Sequence, residues 1–196
     1  MQITQNSEYG REVSTTFKYF LEHENAVIIQ GEINQDLALE VISDLYYLSN
    51  QDKEKLIKVY IINSPGGQVA SAMAILDAAS LIPNPIRTIG MGSVASAASF
   101  LLTTMATEKR LVSSNCELMY HQPLGGVGGQ ASDIAIVADK ITQIKNKLNK
   151  MLASHSKLTL KQTERLFDRD CWLEPKEAIE KGLIDRIMES EDFCHE

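Results

Sequence analysis

The sequence predicts an α/β fold built on a largely parallel sheet, and three observations carry that expectation. Short apolar runs at residues 26–29, 56–62 and 86–89 read as strands buried on both faces. Stretches with apolar residues three and four apart, over 34–48 and 69–81, separate them as helices. The resulting strand–helix–strand–helix order gives right-handed crossovers, and sites form in the loops at the carboxyl ends of such strands. A chain of 196 residues can bury one sizeable core.

Residues 1–19 are polar and lack periodicity. They read as a mobile N-terminal arm ahead of one domain over 20–188 and an acidic tail over 189–196. The first strand ends at Gly31. Asn34 is placed to cap the next helix, with Asp36 in its first turn and Leu37, Val41, Ile42, Leu45 and Leu48 at helical spacing. Asn63-Ser64-Pro65-Gly66-Gly67 closes the second strand, and Pro83 and Pro85 precede the third. Gly90 and Gly92 then supply a turn, and the Ser/Ala run to Phe100 reads as a helix entering the core with a serine in its first turn. Taken alone, that small-residue run is a helix-packing surface.

Residues 110–113 and 117–120 read as a further strand pair leading into His121 and Pro123. Four glycines within 125–129 describe a movable surface strand or loop. In the longest helix, 132–154, Ile134, Val137, Ile141, Ile144, Leu148 and Met151 form a seam suited to another helix. That seam is long for the domain and is available to a partner subunit. Thr159 with Gln162 forms a capping box for a helix reaching 167. Asp168-Arg169-Asp170 follows as a connector, Pro175 and Gly182 bracket another helix, and 183–187 is a final strand.

A net charge of −7 and a pI near 5.2 argue against a nucleic-acid binder. The most basic stretch, 140–150, reads as a solvated helix face. Cys116, Cys171 and Cys194 lack metal-site spacing and form no disulfide framework, so a reducing cytoplasm is the expected compartment and no metal is expected. No signal peptide or membrane-spanning run is legible.

Nucleophilic serine chemistry needs a hydroxyl, a base, a group orienting that base, and donors for the oxyanion. The candidate bases are His23, His121, His155 and His195. His23 lies between two glutamates and reads as solvated, His155 complements a helix end, and His195 is in the tail. His121 ends a strand before a proline, an edge from which a catalytic side chain can project, although a structural histidine fits there too. Asp170 has a similar ambiguity, with His121 or Arg169 as its partner. Gly66 and Gly67 can bring a backbone N–H close to a substrate carbonyl, or simply form a turn. Together these residues propose Ser96, His121 and Asp170, with the Gly67 and Ala97 N–H groups as oxyanion donors.

The stretches 59–67, 91–96, 121–126 and 168–170 closely resemble the motifs of the Clp protease proteolytic subunits. The resemblance runs from about Ile28 to Ile187 without large gaps. It implies a crotonase-like α/β fold of repeated β-β-α and βαβ units with a long protruding handle helix. It further implies seven-membered rings stacked in pairs as a tetradecamer, fed with unfolded polypeptides by a hexameric AAA+ ATPase that uses the ATP. No cofactor is implied in this chain. Carried over, Ser96 is the nucleophile, His121 the base, Asp170 the orienter, and Gly67 and Ala97 line the oxyanion hole. Gly125 and Gly126 would line the substrate groove. Asp168 and Arg169 would pair with neighbouring subunits near Gln130 and Asp133, coupling assembly to the triad.

The chain departs from the family pattern at Ser93 (usually Gln), Ala97 (usually Met), Ile61 and Leu81 (often aromatic, on the surface thought to receive ATPase loops) and Glu174 (usually a small polar cap). These departures mark a divergent paralogue, with a paralogous subunit of a mixed ring as a candidate partner. Two other readings share the fold: a non-catalytic subunit of a mixed ring, and a crotonase-type acyl-CoA enzyme with no need of a Ser–His–Asp set.

Overall fold

The structure, a computed structural model, describes residues 2–7 and 10–192, with side chains from Tyr19 onward. The chain opens with an antiparallel pair, β1 (Gln2–Ser7) and β2 (Gly10–Thr15), in register from Gln2 opposite Thr15 to Ser7 opposite Gly10. Helix α1 (Thr16–Glu24) follows directly. The N-terminal segment that reads as a mobile arm carries a ladder and the start of a helix. Its pairing is main-chain to main-chain, which apolar periodicity does not reveal.

The body alternates as expected: β3 (Ala26–Ile33), α2 (Gln35–Gln51), β4 (Ile57–Gly67), α3 (Val69–Leu81), β5 (Ile86–Ala95) and α4 (Ala97–Thr104). The Asn34 carboxamide accepts from the Leu37 N–H at 2.9 Å, capping α2. Strands β3, β4 and β5 pair in parallel, and both faces of the sheet are covered. One face packs Val41, Leu45, Ile61, Ile75, Leu101 and Leu102 into the main core; the other buries Tyr60, Ile89 and Leu111 against Phe20. Ile61 has no exposed surface and cannot receive a partner, whereas Leu81 is 74% exposed.

Strand β5 does not end at Gly90. It runs on through Gly92, which has φ +71, and changes partner as it goes. Its first half pairs in parallel with β6 (Arg110–Val112) and its second half, Ser93 to Ala95, with β7 (Glu117–Tyr120). The last two strands were expected to pair with each other; each instead pairs with β5, because hydrophobic pattern fixes which face is buried but not which neighbour is chosen.

After β7 the chain runs without strand through the glycine-rich stretch 125–129 into α5 (Ala131–Ser154). Only Asn149 and Leu152 of that helix are buried, and Ile134 and Ile136 are 40% and 67% exposed. Among the described residues, Ile134 at the front of its apolar seam thus remains exposed. α6 (Leu160–Leu166) carries the expected capping box, and β8 (Cys171–Leu173) then pairs antiparallel with β7. α7 (Pro175–Glu180) and β9 (Arg186–Ile187) close the fold, the final strand being shorter than the apolar run suggested. At Glu174 the small cap is replaced by a carboxylate helix start, and the Glu177 carboxylate accepts the Glu174 N–H at 3.1 Å. Among the described residues no helix is long and apolar enough to cross a membrane.

The beginning of the acidic tail is anchored. Asp192 takes two hydrogen bonds of 2.6 Å from the Arg186 guanidinium and one of 2.8 Å from the Glu189 N–H. Cys194 and His195 lie outside the described residues. The Arg186 hydrogen bonds hold the Asp192 carboxyl at about 2, below its ordinary 3.8. Its contribution to stability is fully present above the unfolded-chain value of about 3.9 and is lost as pH falls through the folded value. Asp192→Asn is expected to cost about 1–2 kcal/mol at neutral pH, with the gap to wild type closing below about pH 2. Urea unfolding midpoints measured as a function of pH check this.

Candidate active site

Strand register builds the site. Ala95 is paired with Met119 across β5–β7, and Tyr120 is paired with Cys171 across β7–β8. Ser96 follows the end of β5, His121 follows the end of β7, and Asp170 precedes the start of β8. Three positions remote in sequence thus fall side by side. Ser96 Oγ lies 2.7 Å from His121 Nε2, and His121 Nδ1 lies 3.2 Å from Asp170 Oδ1. The imidazole is largely enclosed, while the Asp170 side chain is 66% exposed.

Ser96 has φ +57 and ψ −122, a conformation that side-chain-bearing residues rarely adopt. It is held by what surrounds it. Its N–H donates to the Met119 carbonyl at 2.8 Å, and its carbonyl accepts the Phe100 N–H at 3.0 Å. The Ser99 hydroxyl lies 2.6 Å from the Met119 carbonyl and 2.8 Å from that of Ser96. The result is a sharp strand-to-helix elbow that points the hydroxyl outward. Sequence placed this serine in the first turn of the helix; it is the cap residue one position earlier.

Gly66 (φ +85) and Gly67 (φ +150) lie directly against the elbow. A Cβ on Gly66 would come within 2.7 Å of the Ala97 nitrogen and of Ser96 Cβ, and one on Gly67 would overlap the Ile33 main chain. Only glycine permits this approach of two backbones, so the Pro-Gly-Gly sequence is more than a turn.

The loop carrying Asp170 is tied down by residues that sequence reasoning passed over. Lys145, read as part of a solvated helix face, donates from Nζ to Asp168 Oδ1 at 2.7 Å. Its ammonium holds the Asp168 carboxyl below the ordinary carboxylate range. Gln122 donates to the Asp168 carbonyl at 2.6 Å. Asp168 is therefore engaged within its own chain through one carboxylate oxygen. Arg169 remains 90% exposed. Gln130 caps α5 and Asp133 sits in its first turn, both exposed, and Gly125 and Gly126 lie on an exposed loop whose Gly125 faces Ile141. Of the other candidate bases, His23 stacks on Tyr19 at 4.3 Å and His155 bonds the Met151 carbonyl at 2.8 Å.

A small, partly open pocket lies beside Ser96. Val69, Ala72, Met73, Phe100, Leu148 and Leu152 make it mostly apolar. A hydroxyl in contact with an imidazole, a carboxylate on the imidazole's far nitrogen and an apolar pocket alongside can perform acyl transfer on a substrate that places a side chain in the pocket.

Two comparisons agree with that chemistry. Residues 8–191 match the sequence profile of the Clp protease family. The chain is 38% identical over 169 residues to the ATP-dependent Clp protease proteolytic subunit of Streptococcus mutans serotype c, covering 85% of this chain and 86% of that one. The fold, the elbow and these similarities converge on one conclusion: the chain belongs to the Clp protease family.

Proposed function

We infer that Ser96, His121 and Asp170 are the catalytic triad of a serine endopeptidase acting on unfolded polypeptides. The observation that carries this is the 2.7 Å contact between Ser96 Oγ and His121 Nε2. With Nδ1–H donated to Asp170, Nε2 is left as an acceptor facing the hydroxyl. His121 takes the Ser96 proton as Oγ attacks the peptide carbonyl, and the Gly67 and Ala97 N–H groups receive the developing oxyanion. His121 then protonates the leaving amine, and an acyl-Ser96 ester remains. Water attacks that ester with His121 again as base, which releases the carboxylate product and restores the hydroxyl. An acyl-CoA hydratase has no use for this arrangement, and a non-catalytic subunit has no need to keep its alignment.

The exposed front of α5 supports assembly into paired seven-membered rings, with Ile134 and Ile136 covered by other subunits and the Gly125–Gly126 stretch lining a groove for the substrate chain. The ring would enclose the active sites in the cytoplasm, alone or with a paralogous subunit, and receive chains from a hexameric AAA+ ATPase that consumes the ATP. Arg169, one residue from Asp170, would contact a neighbour near Gln130 and Asp133 and so couple assembly to the triad.

Ser96→Ala is expected to abolish fluorophosphonate labelling and to lower cleavage of a fluorogenic peptide by about 10⁴-fold or more, with the melting temperature little changed. Retained labelling would remove Ser96 from the mechanism. Arg169→Ala is expected to shift the sedimenting species towards smaller assemblies and to reduce cleavage in parallel. An unchanged sedimentation profile with full activity would exclude the coupling.

A further inference from the structure

Strands β4 and β5 pair regularly as far as Ile62 opposite Met91 and resume with Ser64 opposite Val94. One residue of β4, Asn63, therefore stands opposite two of β5, Gly92 and Ser93, which makes a bulge. It falls where β5 leaves β6, last paired at Gly90, and takes up β7, first paired at Ser93. A bulge leaves a ladder group without its usual partner, and here a side chain takes the partner's place. The Asn63 carboxamide oxygen accepts the Ser93 N–H at 3.1 Å. The backbone on both sides suits that contact. Asn63 has φ +47, a left-handed conformation that asparagine tolerates better than most residues, and a Cβ on Gly92 (φ +71) would overlap the carboxamide oxygen.

The hydrogen bond joins the stems of two loops. Asn63 lies four residues before Gly67, and Ser93 four before Ala97, so the segments carrying the two N–H groups read as oxyanion donors are tied together. On its other side the glycine loop is held to β3, where the Ser64 hydroxyl donates to the Gly31 carbonyl at 2.6 Å and accepts the Gly66 N–H at 3.3 Å. We propose that Asn63 is a positioning residue whose carboxamide oxygen locks the bulge and so sets the spacing of the Gly67 and Ala97 N–H groups. This rests on the reading of Ser96 as the nucleophile. An oxyanion hole acts only when both donors lie within hydrogen-bond reach of the oxygen as it becomes charged. A small shift of one stem therefore weakens the transition state more than the bound substrate, and the loss falls on kcat rather than KM. The acceptor meets a main-chain N–H, so the Ser93 side chain plays no part in it.

Three variants separate the oxygen from the backbone. Asn63→Gly keeps access to positive φ and removes the acceptor, Asn63→Asp keeps both, and Asn63→Ser carries an oxygen one bond too short to reach. Active sites of each assembly are counted by fluorophosphonate titration. The kcat and KM for a fluorogenic peptide are then expressed per titrated site, so unfolded or unassembled protein drops out. In Asn63→Gly, kcat is expected to fall about tenfold with KM within about twofold of wild type, while Asn63→Asp keeps at least about half of the wild-type kcat. Affinity for a peptide boronate, which forms a tetrahedral anion on Ser96, is expected to fall in parallel with kcat/KM. Asn63→Ser is expected to follow Asn63→Gly, and it decides the matter if Asn63→Gly yields no titratable sites. Wild-type kcat per site in either variant, or an equal loss in Asn63→Asp, would overturn the role of the carboxamide oxygen while leaving Ser96 in place. Absence of labelling and of cleavage in the wild-type assembly would overturn the reading of Ser96, and this proposal with it.

Discussion

The site depends on the register of three strands. Pairing of Ala95 with Met119 and of Tyr120 with Cys171 fixes where Ser96, His121 and Asp170 emerge. A slip of one residue in either ladder would turn the following side chain to the opposite face of the sheet and separate the hydroxyl from the imidazole. β8 has only three residues and could not specify a register by its own pattern. Its place is secured from outside the strand, by Leu173 in the core and by the hold of Lys145 and Gln122 on Asp168.

A second constraint is steric. The unusual backbone of Ser96 is maintained by hydrogen bonds from three directions and by the close approach of Gly66 and Gly67. Strain of this kind persists only where the surroundings over-determine it. Here the overdetermination comes from the buried neighbours Ala98, Leu101 and Leu102, which seat α4 in the core and leave the elbow no room to relax. The fold thus supplies the rigidity and the elbow uses it.

Much of this was legible in the sequence because it is local chemistry. The cap at Asn34, the capping box at Thr159, the span of α3 and the glycines against Ser96 each announce themselves within a few residues. What was not legible depends on partners distant in the chain. β6 and β7 carry strand patterns, but nothing in those patterns says that β5 serves both. β8 exists as a strand only because β7 lies beside it. Lys145 and Asn149 share a helix with solvated lysines, and only the packing of α6 and the loop after it turns their part of that helix into a pocket wall. Asp168 likewise reads as one charge in a cluster until the ammonium opposite it is seen.

Asp170 faces water with two-thirds of its side chain. Attraction between a carboxylate and an imidazole is weak through a medium close to bulk water and strengthens several-fold once the surroundings are drier. In the lone chain, then, Asp170 holds the His121 ring on a slack tether. Anything that dries that carboxylate would tighten the tether without moving an atom of Ser96, so the hydration of one side chain sets how firmly the ring is held.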